Sequence, residues 1–168
     1  MNKLIIPLII IIATLSRLIP HPPNFTPIIA MSIFSGAYIA NTRNSILIIV
    51  LAMLISDYII GFHSLMPWIY ISLVMIVLLN KTLNGKKRLS SYLIASIQSS
   101  LIFFIVSNFG VWLTGTLYSK SVIGLINCYA MAIPFFQNTL FSTIIYSVCM
   151  WSIYHFVNRY SSRILPNS

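Results

Sequence analysis

Long apolar runs alternate with short polar breaks along the whole chain. The runs cover residues 4–19, 26–40, 46–62, 67–80, 92–113 and 136–157. A helix that crosses the roughly 30 Å hydrocarbon core of a bilayer needs about 20 predominantly apolar residues. The pattern therefore predicts an all-α integral membrane protein, one transmembrane domain over residues 1–168 with about six helices. The first run is short, since sixteen residues (4–19) at about 1.5 Å each reach only roughly 24 Å. A cleaved signal peptide is the alternative reading of it. No A-x-A-like site follows, however, and Arg17 abuts the run, so it is taken as the first helix, shortened or bent at Pro7.

The breaks and run ends carry their own signals. Pro20, Pro22, Pro23 and Pro27 fix φ and remove backbone donors, so no helix passes through residues 16–27. In the second run Ser32, Gly36 and Ala40 recur every fourth residue, a face of small side chains that lets another helix approach closely. Pro67 suits the first turn of the fourth helix. The longest polar break, residues 80–91, holds Lys81, Lys86, Lys87 and Arg88. Residues 114–134, with Gly115 and Gly124, read as a long loop containing a partly inserted or surface helix.

Charge orients these helices. The formal charge is +9, from ten Lys and Arg against one acid, Asp57. With six spans, Lys3, Arg43, Lys81, Lys86, Lys87, Arg88, Arg159 and Arg163 share one side, while Arg17 and Lys120 share the other. Short loops obeying the positive-inside rule place both termini in the cytoplasm of a plasma-membrane, multi-pass protein. The basic excess is thus read as a topology signal, and no nucleic-acid partner is expected. Cys128 and Cys149 show no metal-ligand spacing and imply no disulfide framework. Neither a cofactor motif nor a metal site is expected.

The same topology collects the unusual polar residues in the outer half. Arg17, His21 and Asn24 lie in the first outer link, and Asp57 and His63 flank the second. Asn108 and Trp112 share one face of the fifth helix with Phe104. Asn127, Cys128, Tyr129, Gln137 and Asn138 occupy or border the last outer loop, and Asn138, Ser142, Tyr146 and Cys149 make a polar stripe on the sixth helix. A carboxylate within a span costs about 2.5–3.5 kcal/mol to insert and normally faces the bundle interior with a partner. Arg17 is the first candidate partner of Asp57 and His63 the second. His155 is read as an interface residue at the inner end.

At these positions a resemblance emerges. Pro-His-Pro-Pro-Asn-Phe-Thr-Pro at 20–27, Ser56-Asp57 with Gly61-Phe62-His63, Ser-Asn-Phe-Gly-Val-Trp at 107–112, and Asn127-Cys128-Tyr129 with Ala-Ile-Pro-Phe-Phe-Gln-Asn-Thr-Leu at 132–140 resemble a family of small, uncharacterised bacterial inner-membrane proteins. That family is in turn loosely similar to the substrate-binding S components of energy-coupling-factor vitamin transporters. The resemblance implies a six-helix bundle that binds a micronutrient near its outer face, with an energising transporter module as a partner. Many S components dock through an Ala-xxx-Ala face on the first helix. Here Ala13 is followed four residues later by Arg17, which leaves the Ser32/Gly36/Ala40 face as a substitute.

Two function classes follow. The first is a membrane solute-binding or uptake protein for a small polar micronutrient, a vitamin or precursor. Its ligand-binding candidates are Arg17, His21, Asn24, Asp57, His63, Asn108, Trp112, Asn127, Cys128, Tyr129 and Asn138, with Ser32, Gly36 and Ala40 as helix-packing residues and the lipid bilayer and a small solute as partners. The alternative is a non-transport membrane scaffold or assembly protein, which needs no convergent polar cluster. Catalysis is not expected. A nucleophile set drawn from His63, Asp57 and Cys128 has no spacing motif behind it.

Overall fold

The computed structural model describes residues 5–83 and 88–164, and of Ile5 and residues 161–164 the backbone alone. Lys3, Lys86 and Lys87, and the side chain of Arg163, therefore lie outside the described residues. Among those residues every regular element is helical: α1 (Ile5–Ser16), α2 (Ile28–Tyr38), α3 (Thr42–Ile60), α4 (Met66–Asn80, followed by one 3-10 turn to Leu83), α5 (Leu89–Thr114) and α6 (Val122–Ile164). Four of them, α3 to α6, are long and apolar enough to cross a membrane. The other two have 12 and 11 residues, about 18 and 16 Å, well short of a hydrocarbon core.

The shortest helix is the centre of the molecule. Residues Ile28 to Ala37 of α2 are all buried, and the helix touches each of the other five. Such enclosure needs small side chains. A Cβ on Gly36 would lie 2.5 Å from the Val77 carbonyl oxygen and 3.2 Å from Asn80 Cβ, so only glycine admits α4 at this point. Ser32 is fully buried on the same helix and donates to Ile28 O at 3.0 Å. Ala40, the third member of the expected packing face, does not join it: α2 stops at Tyr38 and Ala40 is exposed in the turn beyond.

That stop is built by a lysine. Lys81 Nζ donates to Ile39 O and to Ser45 Oγ at 2.8 Å, and lies 3.4 Å from Ala40 O. The carbonyls at a helix C-terminus carry partial negative charge and lack intrahelical partners, so a cation there both neutralises and caps them. Ser45 closes the turn by donating to Ile39 O, and its own carbonyl accepts from Ser35 Oγ at 2.9 Å. Asn41 then caps α3, its Oδ1 accepting from Asn44 N at 3.1 Å.

The helices run alternately up and down. One end of the bundle, here the link end, holds residues 17–27, 61–65 and 115–121; the other, the turn end, holds residues 39–41, 81–83, 88 and the close of α6. At the turn end Tyr38 stacks with Tyr92 (centroids 6.0 Å) and meets Tyr154 (4.0 Å), while its hydroxyl lies 3.1 Å from His155 Nε2. His155 is thus part of a half-buried aromatic cluster and not an isolated interface side chain.

The loop expected over residues 114–134 is mostly helix. Only residues 115–121 connect α5 to α6, and α6 then runs unbroken for 43 residues. Pro134 lies inside it. Proline there deletes one i→i−4 hydrogen bond. Contacts on both sides hold the two halves to α5: Tyr129 Oη donates to Ile105 O at 2.7 Å, and the Phe136 ring sits 5.0 Å from Phe104. The polar stripe on α6 is also rotated from the expected one. Thr139, Ser142, Thr143 and Ser147 are buried, whereas Cys149 faces outward.

Polarity is distributed as in a membrane protein. Leu51, Ile55, Met75, Leu101, Ile105 and Phe141 face outward, while Ser35, Ser72, Ser96, Ser99, Ser100 and Asn80 are buried between helices. Water offers no such arrangement a driving force, but lipid does: small hydroxylated residues let helices approach, and most of these hydroxyls bond back within the bundle, Ser96 Oγ donating to Tyr92 O at 2.8 Å.

Candidate functional site

The link end holds the chemistry, in three separate places. The first is the sole acid. Asp57, in the last turn of α3, has its side chain 2% exposed and lies 2.6 Å from Arg17 Nη2 through Oδ1. Oδ2 accepts from Tyr70 Oη at 2.8 Å. Arg17 Nη1 also donates to Ser56 Oγ, and Ser56 in turn bonds back to Ala52 and Met53 carbonyls. The guanidinium is itself only 11% exposed. Gly61 ends α3 next to this group with φ 114°, a conformation that favours glycine, its N–H returning to Asp57 O at 2.8 Å. Arg17 is the partner expected from sequence; His63 is not, being exposed. The cluster joins α1, α3 and α4 and leaves no net charge.

The second place is a cleft between the link, α4, α5 and α6. Its volume is about 160 Å³ and its lining includes Asn24, Ile69, Phe104, Asn108, Phe136 and Thr139. The link forms one wall because it is strapped to α6: Asn138 Nδ2 donates to Pro23 O at 3.1 Å, Ser142 Oγ to Asn24 O at 3.4 Å, and Phe25 packs on Tyr146 at 6.1 Å. Asn24 sits at φ 61°, a left-handed backbone that asparagine tolerates better than most residues. On α4, Ile69 faces this cleft while Tyr70 next to it faces Asp57, so the two sites lie on different faces of the same helical turn. The wall of α5 is sealed from behind by Cys128, whose buried Sγ donates to Asn108 O at 3.4 Å. Cys128 packs in this way, and Tyr129 does the same against Ile105 O.

The third place is the 115–121 turn. Trp112 Nε1 donates to Ser119 O at 2.9 Å, and Lys120 Nζ lies 5.8 Å from the centre of the Trp112 ring. Lys120 also donates to Trp112 O and, at 2.6 Å, to Gly115 O, capping the C-terminus of α5. Trp112 therefore belongs to the turn and does not line the cleft, although it lies one helical turn from Asn108.

Of the eleven ligand-binding candidates, the cleft gathers Asn24 and Asn108, with Asn138 and Cys128 holding its walls. Arg17 and Asp57 pair with each other. His21, with Nδ1 2.6 Å from Ile19 O, and His63 and Asn127 are exposed and line neither place. Sequence reading placed Phe104 on the Asn108 face but missed Tyr70, Ser107, Thr139 and the phenylalanines 103, 135 and 136. Phe104 carried that signal, since it precedes Asn108 by four residues on one helix face, whereas Ser107 is its immediate neighbour and shares no such spacing. On the α6 wall, Ala132 fell within the stretch read as a loop, while Phe136 and Thr139 lay in the predicted sixth helix but carried no periodic polar signal toward the cleft.

No curated protein matches the chain, and no solved structure does either, so neither comparison reaches a transporter S component. A family model matches residues 1–165, nearly the whole length, and the chain belongs to that family of unknown function (DUF6580).

Proposed function

We propose that this is a multi-pass plasma-membrane protein that binds a small polar solute, a micronutrient or its precursor, in the link-end cleft for uptake, in the manner of an S component. The observation that carries the reading is the cleft itself: amide and hydroxyl groups from three segments meet among aromatic rings. A concave, mostly apolar site with a few convergent polar groups is the form that small-molecule sites take. In the proposed orientation the link end faces outward and both termini are cytoplasmic. Its support is the distribution of cations, with Arg43, Lys81, Arg88 and Arg159 toward the turn end against Arg17 and Lys120 at the link end. An energising module, if one couples to this protein, docks elsewhere than on Ser32 and Gly36, which are buried, or on Ala13, which is buried too.

A second reading, a scaffold without a solute, has one observation in its favour. Many link-end polar groups satisfy one another, as in Arg17–Asp57, Trp112–Ser119 and Asn138–Pro23. Thermal unfolding in lipid nanodiscs against a panel of vitamins and precursors separates the two. A ligand at one hundred times its Kd stabilises by about 2.7 kcal/mol. The uptake reading expects at least one compound to raise the unfolding temperature, the shift being lost in Asn108→Leu and kept in Trp112→Phe. A folded protein that no compound shifts supports the scaffold.

A further inference from the structure

The cleft also restricts what can enter it. We infer that the solute is a single-ring nitrogen aromatic that donates N–H groups and carries no negative charge; this rests on the cleft being the solute site. Size is the first restriction. At about 160 Å³ the cleft compares with a 150 Å³ apolar cavity that accepts benzene and falls below the roughly 300 Å³ at which sites for drug-sized molecules begin. One six-membered ring fits; a fused tricycle or a corrinoid does not.

Hydrogen-bond polarity is the second. The hydroxyls inside have committed their only protons to their own helices, and Asn108 has committed one of its two amide protons. Ser107 Oγ donates to Phe103 O at 2.6 Å, Asn108 Nδ2 to Phe104 O at 2.8 Å and Thr139 Oγ1 to Phe135 O at 3.2 Å. Because Phe104 O can only accept, the Asn108 amide must present its NH2 there, which leaves Oδ1 free to receive. Two hydroxyl oxygens and one amide oxygen thus offer lone pairs to a ligand, against one remaining Asn108 N–H and the NH2 of Asn24 at the exposed rim, so acceptors predominate in the interior among the described residues. A ligand that donates N–H groups satisfies this set, while an acceptor-only ligand leaves it unpaired.

Charge is the third restriction. Among the described residues no cationic side chain lines the cleft. Arg17 is held by Asp57, and Lys120 by the carbonyls that end α5. A carboxylate or phosphate would enter without a counterion, at a large desolvation cost. The faces of Phe103, Phe104, Phe135 and Phe136 carry the negative side of an aromatic quadrupole and suit the electron-poor edge of a nitrogen ring.

A matched series tests this by calorimetric titration of the full-length protein in nanodiscs. Nicotinamide and 4-aminopyrimidine are single rings with N–H donors. N,N-dimethylnicotinamide keeps the ring and loses the donors, nicotinate replaces the amide with an anion, and lumichrome is a neutral tricycle. At least one donor ring should bind, with affinity at least about tenfold above that of the other three, as expected where buried acceptors go unpaired. Asn108→Leu, and separately Thr139→Val on the facing wall, should abolish the preference for donors. If nicotinate or lumichrome binds as well as the donor rings, and Asn108→Leu removes it, the ligand class is wrong and the cleft stands. If neither donor ring binds, the class is wrong as well. If binding survives both substitutions, the cleft is not the site and the functional reading falls with it.

Discussion

Asp57 shows what a single residue can reveal. One acid in a chain with ten Lys and Arg, placed inside an apolar run, must find a partner, and of the two cations on its side, Arg17 and Lys120, Arg17 was the first candidate. That pairing was legible in the sequence because the energetic demand leaves few solutions. Tyr70 was not legible, since a tyrosine near a span end has a ready alternative as a belt residue. Removing one member of a buried pair strands the other, at about 3–5 kcal/mol. Asp57→Asn and Arg17→Gln should each lower the unfolding temperature strongly, and the double variant should cost less than their sum. Tyr70→Phe should cost about 1.5–3 kcal/mol, the range for a hydrogen bond to a charged group. Strictly additive effects of Asp57→Asn and Arg17→Gln would contradict the contact. Trp112 is the counterexample at the same scale. Helical periodicity correctly put it on the Asn108 face, but the 115–121 turn folds back and takes the indole N–H through Ser119 O.

Elements were easier to count than to bound. Six helices follow from the alternation of apolar runs and breaks, and the described residues hold six. The length of α2 did not follow, because its end is set by a residue far along the chain. Lys81 reaches across to cap Ile39, and nothing local in residues 26–40 announces that. Lys81→Met should therefore uncap α2 and cost about 2 kcal/mol, the upper range for a cation at a partly buried helix C-terminus. Gly36→Ala should cost about 1–3 kcal/mol, since its Cβ would press on the backbone of α4. Both are read by thermal unfolding, and a neutral Gly36→Ala would show that α2 and α4 can separate freely. For α6 the misleading signals were Gly115, Gly124 and the polar residues between them and Pro134, which made residues 114–134 read as a loop. A proline is a sound stop in an isolated helix, yet here aromatic and hydrogen-bonded contacts to α5 on either side carry the helix through it.

For the whole molecule, apolar residues face outward as well as filling the core, small hydroxylated residues lie among them between the helices, and one very short helix sits at the centre. Membrane class was legible from composition alone, whereas the division of the link end into an ion pair, a cleft and a capped turn depends on side-chain directions that no spacing encodes. Topology can be checked with reporter fusions, which should report cytoplasm at Lys86 and at the C-terminus and the outside at Ser119; a cytoplasmic Ser119 would reverse the bundle. The cleft can be checked at the same time and more directly. In a background with Cys128→Ala and Cys149→Ala, Ser107→Cys places a thiol on the cleft wall, and Ser99→Cys places one in the sealed core of the same helix. A membrane-impermeant maleimide applied to intact cells should label Ser107→Cys and spare Ser99→Cys, and a saturating solute from the binding panel should block the labelling. Labelling of Ser107→Cys that occurs only after permeabilisation, or that proceeds equally with and without the solute, would contradict an outward-facing solute cleft.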